Sequence, residues 1–308
     1  MTTFKHTAIK EDEGREVREI MKIYFDFSSR LRNRIKRERL LLLNGADTEG
    51  WHKVGEGDVI SVTLPDEKSC FEPQDIPVYP VFEDDAILVL NKQPGLVVHP
   101  TRGYPDGTVA NALMHYMEQK GESWKVRFVN RLDMDTSGLL LVAKNAYAQN
   151  HITSQMRANS IQKRYTAIVC GVIDEERGAI DLPIGRPNAA DVRRGVVKDG
   201  APSLTRYAVL QRFKDHTLVE LSLETGRTHQ IRVHMSHIGH PVLGDKLYGG
   251  ENDNLITRQA LHASKLSFIH PITKEPLDTE APIPDDMQNC LEKLVFDFVP
   301  EVVVLESD

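Results

Sequence analysis

The sequence predicts an α+β protein in which a mixed, mainly antiparallel sheet forms a large domain behind a small amino-terminal α/β module. Three observations predict it. Strand-like apolar runs outnumber helical stretches and do not alternate regularly with them, which disfavours a doubly wound parallel sheet. A basic amphipathic segment followed by two short strands stands apart near the start of the chain. A proline- and charge-rich stretch separates the two parts, and 308 residues suit one large domain plus a small one.

Residues 1–14 read as a tail without an apolar core, so no secretory signal is expected. Residues 15–66 read as the module. Within it, SRLRNRIKRER (29–39) carries six basic side chains against one acid. On a helix, Leu31 and Ile35 face inward, while Arg30, Arg34 and Arg37 share another face. LLLLNG then reads as a strand entering an Asn44-Gly45 turn, and residues 59–64 alternate like a second strand. A solvated face is the usual fate of such a charge run; RNA contact is the other.

Residues 67–80, with Pro73, Pro77 and Pro80, read as a linker. In the large domain, 81–298, strands are expected at 86–90, 139–142, 165–170, 207–210, 217–223 and 261–268. Helices are expected at 109–117, 146–156 and 287–295, and residues 299–308 form a short acidic tail. No run reaches the ~20 apolar residues of a membrane helix. Cys70, Cys170 and Cys290 form no C-x-x-C pair, which favours a reducing cytoplasm over a disulfide framework or thiolate zinc site. The net charge of −7 does not advertise nucleic-acid binding, but where the basic residues cluster matters more than the total.

Three segments carry chemistry. VNRLDMDTSGLLLVAK (129–144) puts Arg131 and Asp133 on a loop that leads into a buried strand, a position that suits a catalytic carboxylate as well as a turn brace. KRYTAIVCG opens a strand with Tyr165, by itself an ordinary core or interface aromatic. ETGRTHQIRVHMSHIGHPVLGDKLYG (224–249) gathers Arg227, His229, Gln230 and Arg232. Its four histidines, His229, His234, His237 and His240, fit no zinc spacing. Thr228 is the expected cap of a short helix there.

These segments, with DAILVLNKQPGLVVHP (85–100) upstream, resemble in order the signatures of the RluA family of pseudouridine synthases. The resemblance spans about residues 78–282, and the amino-terminal module is similar to an S4-type RNA-binding unit. It implies an enzyme with a pseudouridine synthase fold that isomerises uridine in RNA, ribosomal or alternatively transfer RNA. By resemblance Asp133 is the catalytic carboxylate, Tyr165 the active-site tyrosine and Arg232 the partner of Asp133. Arg131 matches an arginine that fills the space left by the flipped nucleotide. Arg227, His229 and Gln230, with Arg30, Arg34 and Arg37, are candidate RNA contacts. So are Arg186, Arg193, Arg194, Lys198 and Arg206, in a stretch whose glycines and proline read as loop. The family's HRLD begins here with Asn130, which hydrogen-bonds but does not titrate near neutral pH.

The implied reaction breaks N1–C1′ and rejoins uracil through C5. Nothing is oxidised and no group is donated, so no cofactor and no metal is expected. The expected partner is RNA, with no membrane and no DNA, and the expected state a cytoplasmic monomer. Two rivals differ in class. One is a binding protein without catalysis. The other is a retaining glycosidase, which needs two carboxyls about 5 to 5.5 Å apart. Asp135 is the only near acid in the sequence.

Overall fold

A computed structural model describes residues 2–188, 192–250 and 254–296. The amino-terminal unit contains β1 (Thr3–Thr7), α1 (Val17–Tyr24), α2 (Ser29–Arg37), β2 (Leu41–Leu43), β3 (Ala46–Asp47) and β4 (Val59–Thr63). Its sheet runs β1-β4-β2-β3. Residues 1–14 are therefore not simply a tail: β1 pairs antiparallel with β4 from Thr3↔Thr63 to Thr7↔Val59. Its five residues were too few, and too polar on one side, to show as a strand.

Leu31 and Ile35 of α2 enter a core with Ile20, Phe25, Phe27 and Ile60, as their spacing requires. Tyr147 of the large domain joins that core, its ring 4.8 Å from Phe4 and 5.6 Å from Phe27. The module is thus seated on the large domain by an aromatic plug. Asn44 and Gly45 both take positive φ in the β2–β3 turn, which asparagine and glycine tolerate best.

Residues 64–79 run without regular structure into the large domain. There follow β5 (Pro80–Glu83), β6 (Ile87–Lys92), α3 (Val109–Lys120), β7 (Arg127–Phe128), β8 (Ser137–Ala143), α4 (Ala146–Arg157), β9 (Gln162–Cys170) and β10 (Arg177–Asp181). Then come β11 (Ile184–Gly185), β12 (Gly195–Val196), β13 (Leu204–Arg212), β14 (His216–Leu223), α5 (Gln230–His237), β15 (Leu261–Ile269), β16 (Pro276–Glu280) and α6 (Asp285–Phe296). The central sheet is ordered β10-β13-β14-β9-β15-β8-β6-β5, with β16 on β15 and β7 on β8. Every pairing in it is antiparallel except β15 with β8.

That parallel contact depends on one glycine. Gly138 has φ +105°, and a Cβ there would lie 2.3 Å from the carbonyl oxygen of Ala263. β8 is buried along its whole length, which explains the apolar run at 139–143. Among the described residues no helix is long and apolar enough to cross a membrane. The acidic tail at 299–308 lies outside the described residues.

Candidate active site

The loop between β7 and β8 carries Asp133, and its backbone is pinned from several sides. Asn130 acts as a false strand residue: its Nδ2 donates to Leu139 O (3.2 Å), and its Oδ1 accepts from Leu141 N (2.7 Å). Thr136 N closes a turn on Asp133 O at 3.1 Å. Lys92, at the end of β6, donates to Met134 O (2.8 Å) and also to Gln93 O and Leu96 O. Arg258 donates to Asp135 O at 3.0 Å while its guanidinium is fixed by Asp286. Asn130 thus braces the loop and occupies both its oxygen and its nitrogen in doing so.

The carboxylate of Asp133 is about a quarter exposed (26%) and accepts from Arg232 Nη1 at 3.0 Å. Arg232 projects from α5 and is itself held by Asp245, Nε to Oδ2 at 2.7 Å and Nη2 to Oδ1 at 2.9 Å. Asp245 is fully buried and also accepts from Leu247 N and Tyr248 N. Arg232 is therefore a bridge between a buried carboxylate and a partly open one. Burial opposes its charge, but Asp245 and Asp133 outweigh burial and raise its pKa above the ordinary arginine value. Its guanidinium also lies 5.1 Å from the ring centre of Tyr248.

His229 sits directly before α5 in the left-handed region (φ 58°), with Nε2 3.8 Å from Asp133 Oδ2. Its Nδ1 meets the Tyr248 hydroxyl at 2.9 Å. Burial lowers its pKa; the Asp133 charge opposes this and Arg232 reinforces it. Tyr165 on β9 is buried, and burial followed by the nearby charge of Asp133 pushes its phenol upward. It therefore stands beside the carboxylate as a neutral phenol. Lys92 is pulled down to about 7 by burial, with Asp135 and Asp133 opposing.

The remaining sequence candidates separate into two groups. Arg131 is exposed and lines a cleft of about 1220 Å³ between α2 and the large domain, with Arg30, Arg37 and Lys125 on its walls. Arg227 is also exposed, its Nε reaching Pro202 O at 3.3 Å. Arg34 lines the same cleft but is tied to Glu38 (2.7 Å) and Glu67 (2.8 Å), so it braces the module against the linker rather than presenting an uncommitted charge.

Gln230, expected at the RNA, is 2% exposed, with its amide bonded to Thr225, the Arg227 N–H, Leu204 O and Thr205. It locks the turn before α5 and has no surface to offer. Thr228 does not cap the helix either; His229 holds that position, without a side-chain cap bond. His234 is used by Thr205 and Leu182 O, and His240 by Cys170 O. Asp245, Tyr248 and Lys92 were not singled out from sequence: their roles depend on contacts across the fold, which no spacing reports.

A carboxylate on a pinned loop, an arginine bridge and a buried tyrosine now stand together. Residues 86–237 match the family model described as RNA pseudouridylate synthase. The chain is 43% identical over 260 residues to the RNA pseudouridine synthase YlyB of Bacillus subtilis, covering 82% of this chain and 85% of that protein. The chain belongs to the RluA family of RNA pseudouridine synthases.

It is accordingly an RNA uridine isomerase. It is 42% identical to the ribosomal large subunit pseudouridine synthase D of Haemophilus ducreyi, with 80% of each chain covered. With the protein of the same name from Escherichia coli K12 it shares 38% identity over 91% of this chain and 90% of the other. Among solved structures, human RNA pseudouridylate synthase domain containing 1 superposes with a TM-score of 0.58 at 29% identity, covering 72% of this chain and 94% of that one.

Proposed function

We propose that Asp133 is the nucleophile of this isomerase and that its substrate is a uridine in large-subunit ribosomal RNA. The observation that carries the first part is the Asp245–Arg232–Asp133 bridge, which aims a partly open carboxylate from a loop with little freedom to move. Its one strong partner leaves the second oxygen for substrate. The other acid on Arg232, Asp245, is fully buried and so makes a poor second carboxyl for glycoside hydrolysis.

A uridine stacked in a helix is out of reach of Asp133, so the base is flipped into the site, where Tyr165 offers a ring face. Arg131, two residues from Asp133 and exposed towards the cleft, follows into the gap. Residues 15–66 act as an RNA-binding module, with Arg30 and Arg37 of α2 contacting phosphates across that cleft from Arg131. The ribosomal assignment is supported by the names of the relatives from Haemophilus ducreyi and Escherichia coli, which cover 80% and 91% of this chain.

The test has two arms. Total RNA labelled with [5-³H]uridine, taken from a strain lacking this gene, should release tritium with the wild-type protein and none with Asp133→Asn. Mapping pseudouridine in that strain should show the missing site in large-subunit ribosomal RNA. A site lost only from transfer RNA would overturn the substrate assignment and leave the nucleophile standing; full turnover by Asp133→Asn would overturn the nucleophile.

A further inference from the structure

Arg194 precedes β12, which pairs with β11 and packs against α5, the helix that carries Arg232. Its backbone N–H donates to the Tyr248 hydroxyl at 2.8 Å, the same oxygen that meets His229 Nδ1. The loop is thereby fastened to the wall of the Asp133 site. The guanidinium of Arg194 lies close enough to His229 to help depress its pKa.

Its Nη1 is buried and has no hydrogen-bond partner. Among the described residues two other buried side-chain atoms lack a hydrogen bond, Glu16 Oε2 and His270 Nε2, but each is ion-paired, to Arg18 and Asp84. Arg194 Nη1 has neither. A charged donor buried without an acceptor is among the costlier defects a fold can carry, and beside an active site it calls for an acceptor that the chain does not supply. Asp133 and Asp245, the carboxylates of the site, pair with Arg232 and not with Arg194.

We propose that Arg194 reads the flipped uracil, Nη1 donating to one of its carbonyl oxygens. This rests on the uridine-isomerase reading of the Asp133 site. A base carbonyl suits the position better than a phosphate because the donor atom is inside the fold, where a flipped base goes, whereas the phosphodiester stays at the mouth.

Such a donor also acts in the reaction, whichever atom Asp133 attacks. If the carboxylate forms a bond to C1′, the N1–C1′ pair leaves with uracil and is shared over N1, O2 and O4. If it adds to C6, the C5=C6 pair moves through the ring onto O4. In both courses N1–C1′ breaks and negative charge grows on a carbonyl oxygen; it is discharged when C5 bonds to C1′, the bond to Asp133 breaks and restores its carboxylate, the C5 proton passes to solvent, and N1 is protonated. A guanidinium donor bonds that oxygen more strongly as its charge grows.

The experiment measures tritium release from the [5-³H]uridine-labelled RNA by wild type, Arg194→Ala and Arg194→Gln. It is combined with RNA affinity as a function of salt, and with millimolar guanidinium ion added to Arg194→Ala. The expected result is a fall in kcat of about a hundredfold in both variants, as for loss of an oxyanion donor. KM should change little, the salt dependence of binding should be unaltered, and guanidinium ion should restore part of the Arg194→Ala rate.

A raised KM with normal kcat and a salt slope lowered by about one would make Arg194 a phosphate contact and overturn the proposal. Unchanged kinetics would also overturn it. So would a rate loss that guanidinium ion does not relieve and that accompanies a lowered Tm, because Arg194 would then be a structural brace. If wild type itself releases no tritium, the isomerase reading beneath the proposal fails, which the variants alone would not show.

Discussion

Replacing Asp245 with asparagine removes the buried half of the bridge that holds Arg232. The amide keeps an oxygen for the N–H groups of Leu247 and Tyr248, so that side of the contact survives. The other side does not: an NH2 group must then face Arg232 Nε–H, previously 2.7 Å from a carboxylate oxygen. Asp245 is fully buried and Arg232 is 7% exposed, so the orphaned charge gains little from water. Breaking one member of such a pair costs about 3–5 kcal/mol. The retained backbone bonds place this case at the low end, about 3 kcal/mol. At about 2 °C per kcal/mol for a chain larger than the 150–250 residue class, that is a Tm lower by roughly 6 °C. Because the pair is buried, the deficit should persist in high salt, unlike that of a surface ion pair.

Turnover should fall as well. Arg232 keeps Asp133 as its only carboxylate and swings towards it, covering the oxygen that substrate needs. A drop in kcat of about tenfold to a hundredfold corresponds to about 1.4–2.8 kcal/mol of lost transition-state stabilisation. Calorimetry in low and high salt, with tritium release at saturating RNA, reads both quantities. A variant with wild-type Tm and wild-type kcat would refute the view that Asp245 positions the site.

Tyr165→Phe separates stacking from proton traffic: RNA affinity is expected to hold while turnover falls, and full activity would leave the hydroxyl without a role. Lys92→Met tests a sign. With its pKa at about 7 in the fold against 10.5 in water, the unfolded chain holds a proton that the folded chain lacks between those values. Wild-type stability should therefore rise relative to the variant as pH increases from 7, by up to about 1.4 kcal/mol per pH unit. Urea unfolding at several pH values checks this, and parallel slopes would mean that the three carbonyls hold the ammonium against burial. The double change Arg30→Glu with Arg37→Glu should weaken RNA binding and flatten its salt dependence by about two, leaving kcat at saturation unchanged. A wild-type salt slope in that variant would remove α2 from the RNA interface.

Much of the fold was legible because its long elements carry strong periodic signals. β8 announces itself as an unbroken apolar run, and α2 by the spacing of Leu31 and Ile35. What escaped is what periodicity does not encode. β1 is short and gains its stability from β4, more than fifty residues away. β11 and β12 are two-residue bridges, and the positions of the latter gain meaning only through α5. In the site, Asp133, Tyr165 and Arg232 could be read by resemblance, and the structure brings them to one place. Asp245 could not, since Arg232 and Asp245 lie on different elements and no helical or strand spacing relates them. Gln230 was misread for a related reason: an amide in a polar motif looks available until the four internal groups that use it are in view.

Asn130 shows how the site's rigidity bears on its chemistry. At this position an imidazole offers a group that titrates near neutrality, and asparagine does not. Yet the amide meets a carbonyl and an N–H of β8 at once, which a neutral imidazole facing the same two groups could match only with one ring nitrogen as donor and the other as acceptor. The demand at residue 130 is thus for a donor and an acceptor side by side, not for a proton carrier. Lys92, Arg258 and the Thr136 turn hold the next residues by their carbonyls, so the loop is defined through its backbone and Asp133 is free to be defined by Arg232 alone. The nucleophile proposed here needs that division of labour. A backbone tied down by groups other than its own side chain leaves that side chain uncommitted, and a single bidentate-anchored arginine then sets its direction. Replacing Asn130 with histidine should accordingly leave the pH dependence of turnover unchanged. A new ionisation appearing in the kcat profile of Asn130→His would show instead that residue 130 reaches the reacting groups.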